Sequence, residues 1–108
     1  MDTITFEDFK KVEIRVGKIL AAEKVADADK LLKLQVDFGE SQRQIISGIA
    51  ESFSPEELVG KSLPFIVNLE YRKFKGEESQ GMLMATGVDG KVVLLEPAAK
   101  VPLGAEVV

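Results

Sequence analysis

Alternating apolar and polar positions dominate the first half of the chain and predict β-strands. Val12, Ile14 and Val16 alternate with charged residues, and the same period of two returns over residues 32–38. This period is typical of strands with one buried face. Gly17 interrupts the first run, and a glycine inside a long strand commonly marks a bulge or a bend. We therefore expect a bent first strand that belongs to both halves of a small barrel.

Helix-capping patterns predict two short helices. Ser54 precedes Pro55 and Glu57, which is the pattern of an N-cap serine, a first-turn proline and a capping-box glutamate. Thr5 with Asp8 three residues later predicts a short N-terminal helix in a similar way. Residues 25–29 are small and polar and predict a loop, and further strands are predicted at 43–50, 63–69, 82–86 and 92–95.

The order of these elements predicts an all-β fold. Three strands, one short helix and two or three more strands, with a bent first strand, favour a five-stranded Greek-key barrel of the oligonucleotide/oligosaccharide-binding type, the OB-fold. The short helix lies between strands 3 and 4, a second short helix precedes the barrel, and extra strands follow it. With 108 residues, the chain is expected to form a single domain over 1–108.

The composition removes most catalytic chemistry. The chain has no cysteine and no histidine, so it lacks thiolate nucleophiles, the commonest general base and the commonest metal ligand. The acidic pairs Asp27/Asp29 and Glu77/Glu78 are spaced like loop residues. We expect no catalytic residues, no metal and no cofactor. Neither a long apolar run nor a signal-like N-terminus is present, which favours a cytoplasmic protein without membrane contact.

A basic segment interrupts an acidic chain. The net charge is −4, but residues 70–76 sum to +2, which leaves −6 for the remainder. Because salt limits the reach of each charge to about 8 Å, such a segment can still bind an anion. Arg72, Lys73 and Lys75 would neutralise phosphates, and Tyr71 and Phe74 would stack on bases. The alternative is a solvated turn whose charges serve solubility and whose phenylalanine lies in the core.

Long stretches of this chain resemble the tRNA-binding domain family, and together they span nearly the whole sequence. The matching stretches are 6–19, 28–34, 43–50, 55–61, 72–76 and 79–82. The family includes the C-terminal appendix of bacterial methionyl-tRNA synthetases, free-standing structure-specific tRNA-binding proteins and a chaperone-like secretion protein. One departure is Tyr71, where the family usually has proline, which removes a fixed φ at the start of the loop.

The resemblance implies an OB-fold that binds the outer corner of tRNA by shape, as a homodimer built through segments outside the barrel. The domain would raise the local tRNA concentration for an attached or associated synthetase, a methionine–tRNA ligase, and do no chemistry itself. The residues implied in tRNA contact are Asn68, Arg72, Lys73, Lys75, Ser79 and Met82, with Lys30 and Lys33 from the loop between strands 1 and 2. The alternative is a chaperone-like or protein-interaction module that uses the apolar side chains beside the basic segment.

Overall fold

Two one-turn helices and nine strands form the protein, and the computed structural model describes all residues from 1 to 108. The elements are α1 (Phe6–Phe9), β1 (Ile14–Val25), β2 (Ala28–Asp37), β3 (Gln42–Ser47), α2 (Pro55–Leu58), β4 (Ser62–Ile66), β5 (Arg72–Phe74), β6 (Glu77–Ser79), β7 (Met82–Leu83), β8 (Ala85–Val88) and β9 (Lys91–Leu94). The all-β prediction is confirmed. The longest helix has four residues, and none could cross a membrane.

A five-stranded antiparallel sheet in the order β3-β2-β1-β4-β7 carries the fold. The first half of β1 pairs with β4 and the second half pairs with β2. Lys18 lies opposite Ser62 on one side and Asp37 on the other, so the two pairings meet at one residue. The first strand is thus shared between two pairings as expected, and its pairing with β2 has an irregularity between Ile19 and Ala21.

Gly17 is required next to Lys18 because side chains of the paired strand β2, and of Phe38 directly after it, lie against this position. A β-carbon added here would lie 2.5 Å from Val36 Cγ1 and 2.6 Å from Phe38 Cε1. Both of these side chains are buried. The glycine thus leaves room for these two side chains beside β1, and the close contact explains the interruption of the apolar pattern.

The sheet closes into a barrel because the residues before β7 bond to the free edge of β3. The backbone N–H of Gln80 donates to the carbonyl of Gln44 at 2.8 Å, and the side-chain oxygen of Gln80 accepts from the N–H of Gln44 at 3.0 Å. The edge of β3 is therefore covered without a regular strand. The same residues place β5 and β6 beside β3.

The core is aliphatic, with one aromatic pair at its centre. Phe38 and Phe65 pack edge to face with their ring centroids 5.6 Å apart. Leu58 of α2 is completely buried among them. The Glu57 carboxylate accepts hydrogen bonds from the backbone N–H and the hydroxyl of Ser54, which lowers the pKa of Glu57. The predicted capping pattern thus holds α2 where it covers the core.

Several element boundaries differ from the predictions. Strand β3 ends at Ser47 rather than at residue 50, and β4 ends at Ile66 rather than at residue 69. Residues 25–29 are not a loop, because β1 and β2 continue to a tight turn in which Asp27 adopts φ of 57°. The strand predicted at 82–86 is divided into β7, which pairs with β4, and β8, which pairs only with β9. Met84 separates them, and its N–H donates to the carbonyl of Pro64 at 3.0 Å.

Replacing Gly17 with alanine should destabilise the barrel by about 1–3 kcal/mol, since the methyl group overpacks the core. Gly87→Ala is the matched control, because a β-carbon at this other strand glycine has no neighbour within 4 Å. Urea unfolding measures both. Gly87→Ala should change the free energy of unfolding by less than about 0.5 kcal/mol. Equal losses in the two variants would contradict the packing argument.

Candidate nucleic-acid interface

The basic segment is an ordered β-hairpin rather than an irregular loop. Strands β5 and β6 pair over Arg72–Phe74 and Glu77–Ser79, and we refer to residues 72–79 as the basic hairpin. Lys75 and Gly76 form the turn, with φ of 52° and 82°. Positive φ at both central residues is the requirement of the type I′ turn, which matches the twist of paired strands. The turn thus fixes the lysine at the tip.

The two faces of the basic hairpin have different surroundings. Arg72 lies opposite Ser79 and Phe74 lies opposite Glu77, so these four share one face. Ser79 is buried and Phe74 is half-buried, which shows that this face packs on the barrel. Phe74 lines a small cavity with Ile46 of β3. The phenylalanine therefore packs on the outside of the barrel and is not part of the main core.

The cationic side chains of the hairpin form no ion pairs. The structure contains five ion pairs, and none involves Arg72, Lys73 or Lys75. The guanidinium carbon of Arg72 lies 4.8 Å from the centre of the Phe74 ring, a cation–π contact that orients the guanidinium without neutralising it. All three cations are exposed. The hairpin thus presents three exposed cations without ion-pair partners, and Glu78 lies opposite Lys73 across the two strands.

Apolar side chains lie next to these cations. Met82 is 43% exposed and lines the same small cavity as Arg72. Tyr71 is 50% exposed and directly precedes β5. Flat and flexible apolar groups beside cations are a suitable surface for stacking nucleobases or riboses.

Two lysines of β2 were predicted as contacts, and their surroundings differ. Lys30 is exposed and makes no ion pair. The ammonium group of Lys33 lies 2.9 Å from a Glu23 oxygen and 3.3 Å from a Glu77 oxygen. Hydrogen bonds to these two carboxylates raise the pKa of Lys33. Lys33 is therefore a compensated cation, unlike Lys30 and the cations of the hairpin.

The hydroxyl of Ser79 is bonded within the protein. It is only 4% exposed, and its hydroxyl accepts from the N–H of Ile46 at 2.9 Å and donates to the carbonyl of Gly81 at 2.9 Å. Both contacts are internal, because the hydroxyl bonds β6 to the edge of β3. In this position the hydroxyl joins two strands, and its hydrogen bond to RNA stays a prediction.

Asn68 is exposed, but its amide group makes two hydrogen bonds within the protein. Its oxygen accepts from the N–H of Glu13 at 2.7 Å, and its nitrogen donates to the carbonyl of Lys11 at 2.5 Å. The side chain thus fastens the segment before β1 to the end of β4. This position lies three residues before Tyr71, at the entrance to the basic hairpin.

Sequence reasoning missed three residues that position the hairpin. Arg43 donates to the carbonyls of Val67 and Gln80 at 2.6 and 2.9 Å. The Gln44 amide nitrogen donates to the Glu78 carbonyl at 2.8 Å, and the Glu77 carboxylate lies beside Lys33. From the sequence, Glu77 and Glu78 only reduce the local charge. Their partners are distant in sequence, so no local pattern indicates these contacts.

Comparison with known proteins gives consistent results at the level of sequence. A family described as a putative tRNA binding domain matches residues 14–106. The chain is 51% identical over 106 residues to a methionine–tRNA ligase of Archaeoglobus fulgidus. The aligned region covers 98% of this chain and 16% of that protein. A methionine–tRNA ligase of Flavobacterium johnsoniae is 55% identical over 107 residues, covering 98% and 15%. The chain belongs to the tRNA-binding domain family. It spans about a sixth of the length of these ligases.

Solved structures related to this tRNA-binding domain confirm its fold. A MetRS related protein from Pyrococcus horikoshii is 45% identical and superposes with a TM-score of 0.94 over 99% of both chains. A chaperone CsaA from Bacillus anthracis is 28% identical, with a TM-score of 0.89 over 99% of this chain and 100% of that one. The whole domain, including the strands after the barrel, is therefore shared with these proteins.

Proposed function

We propose that this domain binds the sugar–phosphate backbone of folded tRNA through the basic hairpin, at the outer corner and without reading sequence. The observation that carries the proposal is the set of three exposed cations without ion-pair partners on an ordered hairpin of an acidic protein. Contacts to phosphate position a protein on nucleic acid but carry no sequence information. Because the rest of the chain is acidic, it repels RNA and limits binding to this surface.

The proposed contact surface extends beyond the tip. Arg72, Lys73 and Lys75 neutralise phosphates, and Lys30 adds a fourth cation from β2. Met82 and Asn68 contribute apolar and polar contacts to sugars or bases. Tyr71 provides a flat ring at the position where the family usually has proline. Recognition of tRNA by its shape is consistent with a surface in which backbone contacts predominate.

The domain functions in this proposal as an affinity module of a larger assembly. Its relatives named methionine–tRNA ligase are about six times as long as this chain, so the domain is either an appendix of such an enzyme or a free-standing homologue. Holding tRNA near a catalytic domain raises the effective tRNA concentration there. Ligase activity belongs to the attached or associated synthetase, and a cytoplasmic location is part of the same proposal.

A homodimer is the proposed state because the N-terminal segment exposes several large apolar side chains. Phe6 of α1 is 71% exposed, Phe9 is 48% exposed, and Ile4 just before the helix is 71% exposed. Phe6 and Phe9 lie three positions apart and therefore share a side of the helix. Contiguous exposed apolar surface marks interaction sites. A dimer would present two basic hairpins, and binding both to one tRNA would multiply the affinity by about 10²–10⁴.

The second candidate function is binding of polypeptide, as in the related protein named chaperone CsaA. Exposed Tyr71 and Met82 support it, since they are apolar side chains on the same surface. A polypeptide-binding surface of this kind would depend little on salt. The salt dependence of binding therefore separates the two candidates.

The affinity for unfractionated tRNA should fall linearly with salt on a logarithmic plot, because bound phosphates release counterions. In Lys73→Gln/Lys75→Gln, the magnitude of this slope should decrease by about 1.5, since each phosphate contact contributes about 0.7–0.9. Fluorescence titrations of labelled tRNA between 50 and 200 mM salt measure it. All tRNAs in the mixture should lose affinity to a similar extent.

The matched control is Lys91→Gln/Lys100→Gln, which makes the same change in net charge. Both of these lysines are exposed and unpaired, and they lie in β9 and the C-terminal segment. The control should keep the slope of the unmodified protein. A salt-independent affinity, or an equal loss of slope in both double variants, would overturn the proposed function.

Phe6→Ser/Phe9→Ser should convert the proposed dimer to a monomer, because it removes the apolar surface that the proposed interface would bury. Sedimentation velocity at micromolar concentration should show about twice the chain mass before the substitution and one chain mass after it. Leu20→Ser is a control on the outer face of β1, where the side chain is 39% exposed. A strictly monomeric unmodified protein would remove the two-site gain in affinity.

A further inference from the structure

Two sets of contacts attach the basic hairpin to the barrel, one at each end. At the base, the Ser79 hydroxyl bonds to Ile46 of β3. At the other end, Glu77 directly follows the turn residue Gly76, and its carboxylate lies 3.3 Å from the ammonium group of Lys33. Because an isolated two-stranded hairpin is at best marginally stable, these attachments determine how the tip is held.

The position of Lys33 explains how it reaches the hairpin. In the sheet, Lys33 lies opposite Glu23 of β1 on one side and Ile46 of β3 on the other. On the side of β3 away from β2, the N–H of Ile46 donates to the hydroxyl of Ser79, which belongs to β6. The lysine side chain therefore spans β3 on the outer surface of the barrel and connects β1 and β2 with β6.

A glutamine supports the same connection. The amide nitrogen of Gln44 donates to the Glu78 carbonyl at 2.8 Å and lies 3.4 Å from the Glu77 carboxylate oxygen that faces Lys33. Glu77 is thus approached by donors from β2 and from β3. Two donors from the barrel define the orientation of the Glu77 carboxylate. They therefore also fix the angle at which β6 lies on the barrel.

The charge balance around Lys33 argues against a phosphate contact. Two carboxylates lie within 3.3 Å of its single ammonium group, so the cluster has a formal charge of −1. A phosphate approaching Lys33 would meet both carboxylates. Lys30, three residues earlier on the same strand, has no such neighbours.

We infer that Lys33 is a positioning residue that holds the basic hairpin through Glu77, and that it does not itself contact tRNA. This inference rests on the proposed function for its effect on binding. The lysine acts by ordering the tip, so that Lys73 and Lys75 meet phosphates in a fixed arrangement. The same inference assigns Glu77 a favourable role, although its charge opposes that of the bound anion.

A double-mutant cycle with Lys33→Met, Glu77→Gln and the combined variant tests the inference by tRNA affinity. Lys33→Met should weaken binding about two- to fivefold, as expected for a partly exposed ion pair. In the Glu77→Gln background the same substitution should have almost no effect, because its partner is already lost. An equal loss in both backgrounds would overturn the inference.

The slope of tRNA affinity against salt is a second measurement. It reports the number of phosphate contacts and does not change when the hairpin only becomes less ordered. Lys33→Met should keep the slope of the unmodified protein, whereas Lys30→Met, the matched variant on β2, should lower its magnitude by about 0.7–0.9. A decrease of this size in Lys33→Met would identify Lys33 as a phosphate contact and overturn the inference.

Amide hydrogen exchange without RNA separates this inference from the proposed function. Exchange over residues 72–79 should accelerate in Lys33→Met and in Glu77→Gln, and exchange in the core strand β2 should stay unchanged. Unchanged exchange in the hairpin would refute the positioning role. If the unmodified protein shows no salt-dependent tRNA binding, the proposed function fails, while the exchange rates still decide how the hairpin is held.

Discussion

The unpaired edge of β3 is the constraint on which the rest of the structure depends. A small barrel must satisfy the backbone groups at this edge, since unpaired buried donors and acceptors are costly. Ser79 and Gln80 provide these bonds from just before β7. Because the chain must reach this edge after leaving β4, the residues between them form a hairpin on the outer surface of the barrel. Barrel closure and display of the cations therefore have one structural cause.

The charged side chains near the hairpin are likewise divided between the barrel and the exposed surface. The Glu77 carboxylate is bonded within the protein to Lys33 and Gln44. Arg72, Lys73 and Lys75 are exposed and form no ion pairs, and Glu78 opposite Lys73 is bonded by Gln80 at 3.3 Å. An otherwise acidic protein thus keeps a small surface on which the cations are not neutralised by ion pairs. This separation reconciles a net charge of −4 with binding to a polyanion.

Much of the fold could be predicted from local patterns because those patterns report burial and capping. The alternation over β1 and β2, the glycine within β1 and the capping residues of α2 each act within a few positions of the chain. The turn at Asp27 was missed, since a non-glycine residue there adopts positive φ. The division of the predicted strand at Met84 depends on a contact with Pro64, which lies twenty residues earlier.

The candidate site was predictable only in part, for a related reason. The cations of the hairpin are adjacent in sequence, and their exposure follows from the turn. Ser79 and Lys33 have the residue types expected of RNA contacts, yet their partners Ile46, Glu23 and Glu77 use those groups inside the protein. Residue type alone does not distinguish a polar group that faces solvent from one that joins two strands.

The central claim is that tRNA meets the protein at the basic hairpin. The most direct measurement is the response of backbone amide signals in an isotope-labelled sample during titration with tRNA at low salt. The account predicts that signals of residues 72–79 shift or broaden first, and that they recover when salt is raised. A response confined to α1 or to β8 and β9, with the hairpin signals unchanged, would contradict it.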